Sequence, residues 1–399
     1  MRDFSAFRQP TTMGIATALF FSGITFAATL PYGAIVGIET LHIPKETYAL
    51  LLTVSALAGA FASVVLGYIS DRISDRRVLV LGCALMGALG YGLIYFSHTQ
   101  WAFFLAHGVI MPFGFALFSQ TFSFARTFYN LRHPDQAEFM VSVLRSIFAI
   151  SWVIIPPIAG WVAAQGQVFD VYGIAALGYL GAALIFVLMM RDDRTKVGFD
   201  SKPVDGGSVE APARGIALPI VFGLLGITLI KTALGLHIIT MPLVIISELD
   251  GDLTDVGIFA SLAALIEIPC MLAWAFALNR YSNHAIIAFN ALLYALYLLL
   301  LSQAESVSTV LWLQGLNGVS SAALLSITIS YMQDAIRGRV GLSTSLMDVV
   351  RVISVSVGAG IFGLVSIRYG YLEVFVVAGA LAALGGVVLW LAHAGKWAH

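Results

Sequence analysis

Apolar residues run in long blocks through almost the whole chain, separated by short polar stretches. Blocks of about 20 apolar residues are what an α-helix needs to cross the hydrocarbon core of a bilayer. The pattern predicts twelve such helices, at about 13–37, 47–69, 78–97, 100–124, 138–163, 169–190, 216–240, 254–279, 284–302, 307–331, 341–366 and 371–393. The first, from Met13 to about Val36, is too long for a signal-peptide core and lacks a convincing cleavage site, so it reads as a membrane helix. The longest polar stretch, Arg191–Gly215, holds charges, Gly206-Gly207 and two prolines. It reads as a cytoplasmic linker between two six-helix halves, 1–190 and 216–399.

Composition sharpens the class. Hydrophobic residues make up 59% of the chain and charged residues 11%, with a mean hydropathy of +0.91. A soluble domain carries about 25% charged residues. The expected fold is therefore an all-α integral membrane protein whose main partner is the lipid bilayer. The net charge of −1 gives no ground for a nucleic-acid partner. Cys83 and Cys270 both fall in apolar spans and read as small packed hydrophobes, with no disulfide or metal site. The chain carries no HExxH, GxSxG, P-loop or clustered metal ligands, so neither an enzyme, a cofactor nor an ATP-driven pump is expected.

Loop charges set an orientation. With a cytoplasmic N-terminus, sixteen Lys and Arg fall on the cytoplasmic side and only Lys45 and Arg368 opposite. That bias predicts that both termini are cytoplasmic. The remaining three cations, Arg145, Lys231 and Arg351, lie inside apolar spans, where a charge costs roughly 2.5–3.5 kcal/mol on insertion scales. Such residues face a partner, a cavity or a substrate path. Arg145 and Arg351 occupy the fifth and eleventh helices, 206 residues apart, and Glu39 and Glu248 follow Pro31 and Pro242 at the ends of the first and seventh. These echoes predict two parallel, pseudo-symmetric halves.

The loop after the second helix reads Gly67-Tyr-Ile-Ser-Asp71-Arg72-Ile-Ser-Asp75-Arg76-Arg77 and resembles motif A of the major facilitator superfamily. It lacks the glycine expected before the final basic pair. In that motif Gly67 would permit close helix approach and Asp71, at a helix end, would hold a charge relay to a neighbouring helix that breaks during conformational switching, with Arg72, Arg76 and Arg77 as the motif's basic members. The plainer alternative is a solvated basic loop. Arg145-Ser-Ile-Phe-Ala-Ile-Ser151-Trp152, continuing to Pro156-Pro157, resembles the fifth helix of the sugar efflux transporter family. Thr240-Met241-Pro242 through Ser247-Glu248, Glu267-Ile-Pro269 and Gln333-Asp334-Ala-Ile-Arg337-Gly338-Arg339 extend the resemblance over both halves. The chain departs from the family pattern at Ile155, Thr240 and Asp348. The resemblance implies a twelve-helix major facilitator fold whose cleft-lining polar residues bind a small sugar or glycoside, exported against protons.

Candidate roles follow. Gln120, Asn290, Gln314 and Asn317 offer amides to sugar hydroxyls, Trp152 and Tyr294 offer rings to stack on, and Arg145, Lys231, His237 and Arg351 offer further polar contacts. Glu267 and Asp348 are the candidate proton carriers. Each has a structural alternative: Asp348 and Arg351, three residues apart, can simply neutralise each other. Arg145 can snorkel to the surface, Glu267 can bond backbone freed by Pro269, and His107 and His237 can be ordinary core histidines. Lys231 has no acid nearby on its own helix and is expected either to reach Asp348 or Glu267 across the cleft or to lose its proton. Glu39 and Glu248 read as interfacial. The expectation is a monomeric transporter of the cytoplasmic membrane that exports a small sugar, glycoside or related polar metabolite by proton antiport and alternating access. A multidrug–proton antiporter and an importing sugar–proton symporter are the alternatives.

Overall fold

The computed structural model describes residues 9–70, 72–198, 218–335 and 340–394. Among the described residues there are twelve helices long and apolar enough to cross a membrane. They are α1 (Pro10–Thr29), α2 (Lys45–Ser70), α3 (Arg76–Ser97), α4 (Gln100–Arg132), α5 (Ala137–Gln165) and α6 (Asp170–Met189). The second set is α7 (Leu218–Ser247), α8 (Leu253–Ala277), α9 (Asn283–Leu301), α10 (Val307–Ala335), α11 (Val340–Arg368) and α12 (Leu372–Ala394).

Local chemistry explains where these helices start and stop. Pro10 opens α1, where its missing N–H has no helical acceptor to lose. Asp75 caps α3 by accepting from the Arg77 N–H at 3.0 Å. Asp252 and Asp255 form a reciprocal capping box at the start of α8. Two helices outrun the hydropathy reading. α4 continues beyond 124 to Arg132 because Phe128 and Tyr129 keep supplying a buried face. α7 continues beyond 240 through Pro242 to Ser247, and the N–H groups of Glu248 and Leu249 both return to the Val244 carbonyl at its end. A proline is tolerated there because neighbouring groups in a membrane bundle can satisfy the carbonyl it frees. A π-helical turn at Ala106–Ile110 interrupts a region that reads as plain helix from sequence, and another at Ile35–Thr40 carries the chain past the predicted end of the first helix.

The chain divides into two compact units, Met1–Gly37 with Leu57–Ser208, and Ile38–Ala56 with Val209–His399. Within the first, α1 packs on α5 and α6, and α3 packs on α4 and α6. Within the second, α7 packs on α11 and α12, and α9 packs on α10 and α12. Each pairing of the first set recurs six helices later. Lipid chains are as apolar as leucine, so close packing of small residues substitutes for a hydrophobic driving force. A Cβ on Gly226 of α7 would lie 2.7 Å from the Gly385 carbonyl of α12, and one on Gly385 would lie 2.6 Å from the Gly226 carbonyl. Exposed Phe61, Val64, Leu272, Phe276 and Trp312 present the apolar surface that lipid contact requires.

One segment departs from a simple split into halves. Ile38–Ala56, which includes the start of α2 from Lys45, belongs with the second unit. There Lys45 donates to the Ser366 carbonyl at 3.3 Å and sits 3.9 Å from the centre of the Tyr371 ring. The Tyr371 hydroxyl donates to Glu39 Oε1 at 3.3 Å. Burial, then the charge and hydrogen bond of Glu39, then the charge of Glu248, all push the Tyr371 phenol above its usual pKa, so it remains a neutral donor. Glu39 is therefore the acceptor in this cluster.

Candidate functional site

In the second unit, polar side chains from four helices join in one hydrogen-bonded chain. His237 of α7 lies between two tyrosines of α9, with Nδ1 2.9 Å from Tyr294 Oη and Nε2 2.9 Å from Tyr297 Oη. Gln314 of α10 donates to Tyr297 Oη at 3.2 Å, and Asn317 donates to Gln314 Oε1 at 2.7 Å. One turn further, Ser321 Oγ approaches the Asn317 carbonyl at 2.7 Å and Oε1 of Glu267, on α8, at 2.6 Å. All are buried except Glu267, which is half-buried. Buried polar groups tolerate an apolar bundle only when partnered. The chain meets that demand and ends on the one group in it that carries a carboxyl.

The structure thus brings together His237, Gln314, Asn317 and Glu267. It adds Tyr297 and Ser321, which sequence reasoning did not single out. Tyr294, read from sequence as a stacking ring, has its hydroxyl committed to His237. Asn290, also on α9, stands apart from the chain: its amide donates to the Ile286 carbonyl and its Oδ1 has no partner among the described residues.

The expected charge network assembles only at one point. Arg351 and Asp348 pair at 3.3 Å on one face of α11, with both side chains more than two-fifths exposed. An exposed pair of this kind contributes up to about 1 kcal/mol. Lys231, half-buried on α7, makes no ion pair with Asp348 or Glu267 among the described residues, so the acid-partner branch of the expectation is not met. A single amphipathic stem cannot reach an acid unless helix rotation aims it there, which the sequence does not specify.

In the first unit the corresponding region is aromatic. Arg145, Phe148 and Trp152 share one face of α5 at i, i+3 and i+7; Arg145 is exposed and Trp152 half-buried. Phe148 lies 4.5 Å from Phe118 of α4, Phe118 lies 4.8 Å from Phe122, and Phe26 of α1 stacks on Phe115 at 5.6 Å. Gln120 is half-buried on the same helix as Phe118. His107 bonds its own helix through the Phe103 carbonyl at 3.1 Å and packs on that residue's ring at 4.2 Å, a core position.

In the loop motif the glycine, Asp75 and the basic members are among the described residues. Asp71 lies outside the described residues, as do Arg337 to Arg339. A Cβ on Gly67 would meet no described atom within 4 Å in this conformation. Arg72 lies over the Tyr68 ring at 3.6 Å. Arg76 donates to Ser123 and Thr127 of α4 at 2.9 and 3.0 Å. Arg77, only 2% exposed, pairs with Asp75 at 2.7 Å and donates to the carbonyls of Met189 and Asp192 and to Thr195 Oγ1. It satisfies carbonyls that the end of α6 leaves without helical donors. Arg76 N–H also bonds the Val197 carbonyl at 3.0 Å, so the predicted linker begins as ordered chain docked on the α2–α3 loop. Burial raises the Asp75 carboxyl, but the Arg77 hydrogen bonds and charge, with Lys196, outweigh it and hold the pKa below the usual value.

Comparison with known proteins places this architecture. The Major Facilitator Superfamily profile matches residues 15–234 and 223–396. Sugar efflux transporter A of Dickeya chrysanthemi is 28% identical, over 95% of this chain and 95% of its own. Sugar efflux transporter B of Salmonella typhimurium is 27% identical, over 97% and 91%. The multidrug resistance protein MdtL of Shewanella oneidensis is 23% identical over 88% and 86%. Among solved structures, the nucleoside transporter NupG superposes with a TM-score of 0.76 at 12% identity, over 97% of this chain and all of that one, which establishes the shared fold. With family residues matched along both six-helix sets and full-length relatives that are sugar efflux transporters, the chain belongs to the major facilitator superfamily of membrane transporters.

Proposed function

We propose that this protein exports a small sugar, glycoside or related polar metabolite across the cytoplasmic membrane, by alternating access coupled to inward proton movement. The observation that carries the coupling is the hydrogen-bonded chain that ends on Glu267, since a membrane-embedded carboxyl with a hydroxyl partner can gain and lose a proton without leaving a bare charge. The sugar assignment is supported by the two relatives named as sugar efflux transporters along their whole length. Gln120, Arg145, Trp152, Lys231, His237, Asn290, Gln314, Asn317 and Arg351 are the proposed substrate-facing set, with Glu267 and Asp348 as proton carriers. Arg145 and Lys231, free of ion pairs among the described residues, are available to substrate oxygens. Sixteen loop cations against two support cytoplasmic termini.

Five half-buried phenylalanines in the first unit favour a second reading, multidrug–proton antiport, because an aromatic surface accepts apolar cargo. Reconstituted protein with an imposed pH gradient separates the two. Labelled mono- and disaccharides are expected to move, and Glu267→Gln is expected to cut gradient-driven flux at least about tenfold, a barrier change of about 1.4 kcal/mol. Robust dye extrusion with no sugar flux would transfer the assignment to the second reading. Flux unchanged in both Glu267→Gln and Asp348→Asn would remove the proposed carriers.

A further inference from the structure

Ser321 has two oxygen neighbours and one hydroxyl proton. Its Oγ lies 2.7 Å from the Asn317 carbonyl and 2.6 Å from Glu267 Oε1, both hydrogen-bond distances. The carbonyl can only accept, so the Ser321 proton satisfies one contact and the other needs a proton from elsewhere. A protonated Glu267 supplies it: the acid donates to Ser321 Oγ, and Ser321 donates to Asn317 O. With Glu267 ionised, two oxygens would face each other at one of these distances with no proton between them.

The surroundings are built to hold this contact. Gly318 of α10 lets α8 approach so closely that an added Cβ would meet the Ile266 side chain at 2.6 Å, directly beside Glu267. Trp274 Nε1, two turns along α8, donates to the Val319 carbonyl at 2.9 Å and fixes the register of the two helices. Among nearby titratable groups, Cys270 lies three residues along α8 from Glu267, on the same helical face, and the Tyr294 hydroxyl of α9 is engaged with His237. α10 presents Ser321 and the amides of Gln314 and Asn317, none of which titrates. From α7 come His237, whose two nitrogens face tyrosines, and Lys231, which makes no ion pair with Glu267.

We propose that this conformation carries Glu267 as a neutral acid donating to Ser321, and that Ser321 is the positioning residue through which α10 reads the protonation of Glu267. When the acid releases its proton to water, the carboxylate claims the Ser321 hydroxyl in a charge-assisted bond, roughly twice as strong as the neutral one. Ser321 must then leave the Asn317 carbonyl. The displacement is felt at Asn317, whose amide links through Gln314 to Tyr297, His237 and Tyr294, and so to α9 and α7. The inference rests on Glu267 being a proton carrier, as proposed above.

Infrared titration of the reconstituted full-length transporter tests it, alongside gradient-driven sugar flux. Wild type is expected to show a protonated-carboxyl C=O band at neutral pH that Glu267→Gln abolishes. In Ser321→Ala that band is expected to move to the higher frequency of an acid with one fewer hydrogen bond, and Ser321→Thr, which keeps the hydroxyl, to restore it. Size-exclusion profile and melting temperature show that each variant is folded. Absence of a Glu267-dependent acid band, or a band unmoved in Ser321→Ala, overturns the inference. If the bands behave as expected while Glu267→Gln retains full flux, the coupling reading fails and the inference falls only in its transport role.

Discussion

Arg77 shows how a single buried charge can tie remote parts of a chain together. It contacts Asp75 through two nitrogens and reaches the Met189 and Asp192 carbonyls with a third. Removing one partner of a fully buried pair costs about 3–5 kcal/mol, and less here, where Asp75 keeps some contact with solvent. Arg77→Ala is therefore expected to lower the melting temperature sharply. Arg77→Lys should recover only part of the loss, since an ammonium cannot reproduce the planar fork. The sign of the pH effect follows from the Asp75 carboxyl, which is held below its usual value. A depressed acid contributes stability above its unfolded-state pKa and loses that contribution as pH falls through its folded value. Melting curves should thus drop on acidification, and Asp75→Asn should flatten that part of the dependence. A slope unchanged in Asp75→Asn would assign the acid sensitivity to other groups.

At the scale of elements, backbone approach carries what hydrophobicity cannot inside a bilayer. The reciprocal contacts of Gly226 and Gly385 bring α7 and α12 together at backbone distance, and both nearest atoms are carbonyl oxygens rather than flexible side chains. Gly385→Ala must therefore push the helices apart, and overpacking of this kind costs typically about 1–3 kcal/mol. A melting temperature equal to wild type would show that the pair has slack. Gly318→Ala should act differently: its neighbour is the Ile266 side chain, and the expected loss is in flux as α8 and Glu267 shift from Ser321. The same scale shows where hydropathy stopped being informative. Pro242 read as the end of α7, yet the helix runs on to Ser247, because a proline costs little where neighbouring helices satisfy the freed carbonyl. The π turns at Ile35–Thr40 and Ala106–Ile110 leave no mark in apolar periodicity at all.

For the whole molecule, the segment Ile38–Ala56 matters most, because it joins the second unit although it carries the start of α2, a helix of the first set. Tyr371 holds it by donating to Glu39, with Lys45 against the ring. Tyr371→Phe removes one hydrogen bond, worth about 1 kcal/mol. Faster amide exchange over residues 38–44 is the expected result, with α8 to α10 unchanged; identical exchange throughout would show that packing alone holds the segment. Sequence by itself determined the class, the number of spans and the two-fold repeat, because hydropathy and loop charge report the bilayer directly. It also placed Glu267, Gln314, Asn317 and His237 among the candidates, since polar residues in apolar spans are conspicuous. Only the tertiary structure decided which of these meet. Tyr297 and Ser321 look like ordinary helix residues until rotation about the helix axis aims them at partners on α7, α8 and α10. Lys231 shows the converse, a conspicuous charge that makes no ion pair with either candidate acid among the described residues. Composition reports what a helix is immersed in; which face it turns to its neighbours is set by packing, and that is where the polar chain ending on Glu267 comes from.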